Sequence, residues 1–343
     1  MMKKMYAIYF MLLSCMCFSA CAEQEEVLAE NISLSAEVNE VKLGSRTSGY
    51  AVPATDEELE ALVWLSLESK KYPASLADDA SDEMKKLSAE TNIPAHRTIK
   101  YHSGTASYPD SEGEPDKPRY PVSVNKEVYC IGFYPNDGWK ASDGDTKATH
   151  VITGYEDLMF APEIAGSWNQ HFGKQKFRHL LAWLKVCVCA TTTEAGSYWG
   201  NLTKMTLKGV RDSVTISLTE PEPTTLNTVY QLSKIMTPSV AKKNVVMYEN
   251  TTGIELKIVA QDVASVFCYP QESYVLSIEC GNNKTQDIPI ALPSLGANDS
   301  RAGLQYVLTL YFSPFNVVEG VCTLKEWNAQ NEDLYPTFNT GNN

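Results

Sequence analysis

The chain reads as mainly β, with two β-sandwich domains in tandem and short helices in the first. Three observations predict this. From residue 202 onward, short apolar runs recur at 202–210, 214–218, 245–248, 254–259, 263–269, 274–279, 288–291, 304–312 and 317–327, separated by Gly, Pro, Asn and Asp. That is the spacing of an all-β sandwich. The sequence before about residue 165 is richer in loops, which places a boundary near 165–176, around Gly166-Ser167-Trp168-Asn169-Gln170. Finally, about 320 residues remain after an N-terminal leader, enough for two ordinary domains.

The leader occupies residues 1–20. Lys3 and Lys4 precede an apolar stretch over 5–18 that is too short to span a bilayer comfortably, and small Ser19 and Ala20 follow. Phe18-Ser19-Ala20-Cys21 resembles a bacterial lipobox. The resemblance implies a diacylglyceryl thioether on Cys21 and a fatty acid such as palmitate on its new amino group. Several buried chains at about 0.8 kcal/mol per methylene would anchor the protein firmly. The acidic run Ala22-Glu23-Gln24-Glu25-Glu26 is similar to the surface-export signal of Bacteroidetes lipoproteins, which implies display on the outer face of the outer membrane.

Charge excludes one class of partner. The chain carries 29 Lys+Arg against 42 Asp+Glu, net −13, and loss of Lys3 and Lys4 takes the mature chain to −15. Such a surface repels phosphates, so no nucleic acid is expected. Cys15, Cys17 and Cys21 belong to the leader region; Cys130, Cys187, Cys189, Cys268, Cys280 and Cys322 remain. Most sit in strand-like apolar runs, where small buried hydrophobes are the expected role.

Along the mature chain, residues 22–31 form an acidic tether. Ile32, Leu34, Ala36 and Val38 alternate on one face of a strand over 31–38. A small-residue loop with one arginine follows, Gly44-Ser45-Arg46-Thr47-Ser48-Gly49. Thr55 and Glu58 have capping-box spacing ahead of Leu59, Leu62, Val63 and Leu67, which predicts a helix over 56–69. Residues 73–92 are polar and loosely helical, and 102–121 lack periodicity and read as a surface loop. Residues 128–134 form a strand. The run 176–190, KFRHLLAWLKVCVCA, alternates as a strand, although Phe177, Leu180, Leu181 and Leu184 also fit one helical face.

No Gly-x-Ser-x-Gly, His-Glu-x-x-His, P-loop or Cys-x-x-Cys is present, so neither an enzyme nor a cofactor is expected. Asp143-Gly144-Asp145 lacks the further ligands of an EF-hand, and no metal is assigned. His179 reads as a core histidine beside aromatics. Asp212-Ser213-Val214 fits a short Asp-Ser/Thr-aliphatic glycosylation site, which makes Ser213 a candidate acceptor.

Several motifs occur in a telling order. They are Ile131-Gly132-Phe133-Tyr134-Pro135, then Asp157-Leu158-Met159-Phe160-Ala161, then Phe177-x-His179-x-Leu181-Ala182-x-Leu184-x-Val186-x-Val188, and a closing pair at 306–312 and 321–327 that ends on Trp327. In this order they resemble the Bacteroidales fimbrillin-like family of type V pilus subunit lipoproteins. The resemblance covers nearly the whole mature chain and implies two transthyretin-like sandwiches, divided here as 47–170 and 171–343. It also implies maturation of a lipidated segment, 21–46, by a cut between Arg46 and Thr47. The first strand, with Ile32, Leu34, Ala36 and Val38, would leave with the lipid, and a neighbouring subunit's strand would fill the groove. The expected partners are other fimbrial subunits, the outer membrane through Cys21, and a glycan or protein on a host or bacterial surface.

After Trp327 the tail NAQNEDLYPTFNTGNN is polar and holds Pro336, a poor donor strand. That favours a tip or accessory subunit over a shaft subunit. The alternative is a lipid-anchored glycan-binding protein that does not polymerise. It would use Trp139, Trp168, Trp199 and Tyr198, which fall in or beside loops.

Overall fold

The computed structural model describes residues 34–41, 48–51, 58–70, 72, 96–102, 105–107, 120–121, 123–142, 146–218, 235–292, 302–314 and 317–325. Among them the protein is built of strands, numbered here in chain order. The largest sheet has eight, in the spatial order β2 (Ser48–Ala51), β1 (Ala36–Val41), β10 (Gln175–His179), β9 (Met159–Gly166), β6 (Val128–Tyr134), β3 (Glu58–Ser66), β4 (His96–His102) and β5 (Thr105–Ser107). A small sheet joins β14 (Met236–Pro238), β13 (Ser213–Ser217), β8 (Lys147–Val151) and β7 (Lys140–Ser142). Two four-stranded sheets remain. One runs β16 (Gln261–Cys268), β11 (Ala182–Ala190), β19 (Gln305–Phe312), β20 (Val317–Lys325). The other runs β15 (Lys242–Ile254), β12 (Leu202–Arg211), β17 (Ser273–Cys280), β18 (Lys284–Ala291).

The last two sheets share one core. Leu184, Val186 and Val188 of β11 and Leu308 and Leu310 of β19 pack with Leu202, Met205, Leu207, Leu276, Ile278, Ile288 and Ile290. The alternation of β17, exposed at Ser273 and Val275 and buried at Tyr274 and Leu276, is what a sandwich strand with one solvated face shows. Helix α1 (Thr193–Trp199) closes one end. The Thr192 side chain caps it by accepting from Ala195 N at 3.2 Å, and Gly200 at φ 72° ends it.

The central strands β3 and β6 of the eight-stranded sheet are buried on both faces. Ala61, Val63 and Leu65 of β3 face a core with Leu34, Ala36, Ile99, Cys130 and Phe177. Leu62 and Trp64 face another, shared with Ala148, Val214 and Ile216 of the small sheet and with Trp183 and Phe267. This double burial corrects the helix expected over 56–69. A strand with two apolar faces is a continuous apolar run, and Leu59, Leu62 and Val63 of β3, with Leu67 just beyond it, mimic helical spacing. The expectation for 73–92 lies outside the described residues. Thr105–Ser107 pairs with β4 inside the stretch expected to be loop.

The run 176–190 is two strands, not one. β10 ends at His179 in the first sheet, and β11 starts at Ala182 in another, so the first sheet's pairing carries past the expected division at 170/171. The small sheet likewise pairs β8 with β13, from either side of that division. The strand expected over 254–259 is a correction too. β15 ends at Ile254, and Ile258 and Val259 are exposed in the connection to β16. Gly253 at φ 70° turns the chain there, and Leu256 alone folds back to the core.

Candidate functional site

The site is built around β1, whose pairing is unlike that of its neighbours. It runs parallel to β10, with Ala36 opposite Gln175, Glu37 opposite Lys176 and Val38 opposite Phe177. It runs antiparallel to β2, with Val38 opposite Ala51 and Val41 opposite Ser48. A parallel pair cannot arise from a tight hairpin, so β1 reaches β10 only because the fold brings distant segments together. The Gln175 N–H donates to Ser35 O at 2.7 Å, extending the ladder beyond the strand.

Leu34 and Ala36 are 0% and 1% exposed and belong to the core under the sheet. Val38 takes its place in the ladder. Burying a leucine is worth about 1.5–3 kcal/mol, so β1 and the residues leading into it are part of the core and not a loose overlay. Ile32, Cys21, Arg46 and Thr47 lie outside the described residues. The two cut-site residues fall within the connection between the paired ends of β1 and β2, at Val41 and Ser48.

Gln175 lines this site, and reading the sequence alone did not single it out. It is fully buried. The Tyr101 hydroxyl donates to its Oε1, and its Nε2 donates to Cys130 Sγ at 3.1 Å. Tyr101 meets the Phe177 ring edge-on at 6.0 Å. Below, Gly132 leaves no room for a side chain, since a Cβ there would stand 2.7 Å from Phe177 Cζ and 3.2 Å from Gln175 Nε2. The one sequence signal was the alternation of Lys174, Lys176 and Arg178 with Gln175, Phe177 and His179, which puts the polar glutamine on the inward face.

The other candidates are distributed elsewhere. Ser213 opens β13 and is half-buried; its hydroxyl donates to Asp212 Oδ1 at 3.1 Å. The Ser239 hydroxyl, and after it Ser213, holds the Asp212 carboxyl below the usual carboxylate range. Trp139 and Trp199 are core residues, packed on Phe133 at 4.9 Å and on Phe312 at 5.6 Å, and Trp168 packs beside the core under the large sheet. Only Tyr198 of the four expected stacking residues is exposed, which corrects the aromatic platform of the glycan-binding alternative. His179 is fully buried and meets Asp157. Cys130, Cys187, Cys189, Cys268 and Cys280 are free and buried, and Cys322 is free and half-buried. Among the described residues no group of three His, Cys, Asp or Glu could hold a metal, and no helix is long and apolar enough to cross a membrane. Asp143 and Asp145 lie outside them.

No family model and no curated protein matches the chain. Solved structures do. One, a "putative cell adhesion protein" from Bacteroides uniformis ATCC 8492, aligns at TM-score 0.50 and 16% identity over 86% of this chain and 99% of its own. Another of the same description, from Bacteroides ovatus ATCC 8483, aligns at TM-score 0.51 and 15% identity over 89% and 99%. A fimbrial assembly protein from Parabacteroides distasonis ATCC 8503 aligns at TM-score 0.39 and 12% identity over 86% and 99%, too distant to add to the comparison. Across nearly its whole length, this chain is similar in fold to the first two.

Proposed function

We propose that the protein is a surface-displayed fimbrial subunit that acts in adhesion, without catalysis, by exchanging a strand with a neighbouring subunit. It is held at the outer membrane by lipid on Cys21 until a cut between Arg46 and Thr47 frees β1. The observation that carries the reading is β1 itself. It is an N-terminal strand joined to the sheet through a parallel ladder to β10, and its Ala36, with Leu34 just before it, fills a core that would otherwise open to water. Removing such a strand exposes both unpaired backbone groups and an apolar groove, and strand addition satisfies both at once. The ordered motifs of the sequence and the shared fold of two cell adhesion proteins agree with this role. The polar, proline-bearing tail after Trp327 favours a tip or accessory position over a shaft.

The test uses the chain from Ala22 onward, treated briefly with an arginine-specific protease and read by intact mass and an unboiled gel. A discrete cut after Arg46 is expected, with no ladder of the protein alone and a new complex when a shaft subunit is added. A folded protein that resists cutting overturns the maturation step.

A further inference from the structure

Within the groove that the strand-exchange reading opens, the residue opposite Gln175 is held to a narrow size. Paired residues of adjacent strands point to the same face of a sheet, so Ala36 and Gln175 share the buried side. Gln175 cannot step aside. Its oxygen is held by Tyr101 and its nitrogen by Cys130, both outside the strand that leaves. The floor cannot drop either, because Gly132 is already in close approach to Phe177 and to the Gln175 amide. Close-packed interiors accept added methylenes only by straining rotamers or moving backbone. Two residues before Ala36, fully buried Leu34 fills a site that takes a large aliphatic side chain.

We propose that Gln175 is the register-setting residue of this groove, admitting only a small side chain from whichever strand replaces β1. This rests on the strand-exchange reading and specifies the partner. It is an extended segment that carries a large aliphatic residue two positions from Ala, Gly or Ser. The limit belongs to the floor of the groove, so it holds whichever way the incoming strand runs. A slip of one residue would turn every inward side chain outward. A slip of two would set a large side chain against Gln175, so the polar pin enforces one register where an all-apolar floor would tolerate several.

The experiment adds labelled peptides spanning residues 31–41 to the chain from Ala22 after cutting at Arg46, and follows their entry. The wild-type sequence enters, the Ala36→Ser peptide matches it within about twofold, and the Ala36→Leu peptide is weaker by about tenfold or more. A cut chain carrying Gln175→Ala with Tyr101→Phe, which removes the glutamine together with the hydroxyl bound to it, recovers the Leu peptide. Equal entry of the Leu and wild-type peptides overturns the role of Gln175 and leaves strand exchange standing. If no peptide enters, wild type included, the strand-exchange reading fails, and with it the partner assigned here. In the uncut chain, Ala36→Leu raises amide exchange at Gln175 about tenfold while Ala36→Ser does not. Unchanged exchange in the Leu variant overturns the size limit independently of any cut.

Discussion

His179 Nδ1 lies 2.5 Å from Asp157 Oδ2, and neither side chain reaches solvent. The pair ties the end of β10 to the segment entering β9, beside a backbone bond from Leu180 N to Leu158 O at 2.7 Å. It therefore braces the strand on which β1 lies. Removing one member of a buried hydrogen-bonded pair leaves the other stranded, and His179→Ala should destabilise the protein by about 1–3 kcal/mol or more. Replacing both members by apolar residues of similar volume should cost far less. Urea unfolding of the single and paired variants decides it: equal losses would show that packing volume, not the stranded carboxylate, is at stake.

The same pair gives a pH dependence. Burial pushes the Asp157 carboxyl above its ordinary value, outweighing the charge and hydrogen bond of His179, which draw it down. A carboxyl raised in the fold binds its proton before the unfolded chain does. Its contribution to stability therefore grows as pH falls from the raised folded value towards about 3.9. The exposed Asp287, held low by its hydrogen bond to Lys208, works the other way, losing its contribution as pH falls. Comparing wild type with Asp157→Asn cancels that background. Thermal melts across the acid range should move in favour of wild type on acidification; a difference that shrinks or stays flat would falsify the assignment.

Gly132 bears on the groove without touching β1 in the ladder. A Cβ there would meet Phe177 Cζ at 2.7 Å, so Gly132→Ala must push the Phe177 ring, and with it β10, out of place. Overpacking of this kind typically costs about 1–3 kcal/mol. Loss of the first strand after a cut at Arg46 should be faster in this variant than in wild type. Release measured by mass after size separation checks it, and unchanged release would mean that the floor yields.

Thiol chemistry should be quiet. Burial pushes the Cys268 and Cys280 thiols up to about 12, and Cys130 well above its usual value. Thiols held protonated and away from water react slowly. Melts of the chain from Ala22 with and without reducing agent should coincide, and thiol reagents should label these three only on unfolding. A midpoint that drops on reduction would reveal a disulfide.

The sequence by itself determined that this is a strand-built protein and where its half-exposed strands run. β13 and β17 alternate buried and exposed residues, and period two is visible in a chain wherever one face meets water. It also placed Leu34 and Ala36 on one buried face ahead of the sheet. Only the tertiary structure decided that β3 is a strand, because a strand buried on both faces loses its alternation and copies a buried helix. Only it divided 176–190 between two sheets, since the chain's change of partner after His179 leaves no mark on a continuous apolar run. The parallel seating of β1 on β10, and the choice of Gln175 as the polar neighbour of Ala36, join residues more than a hundred positions apart. Local periodicity says which face of a strand is apolar. Which strand lies beside it, and in what register, is set by how the faces pack.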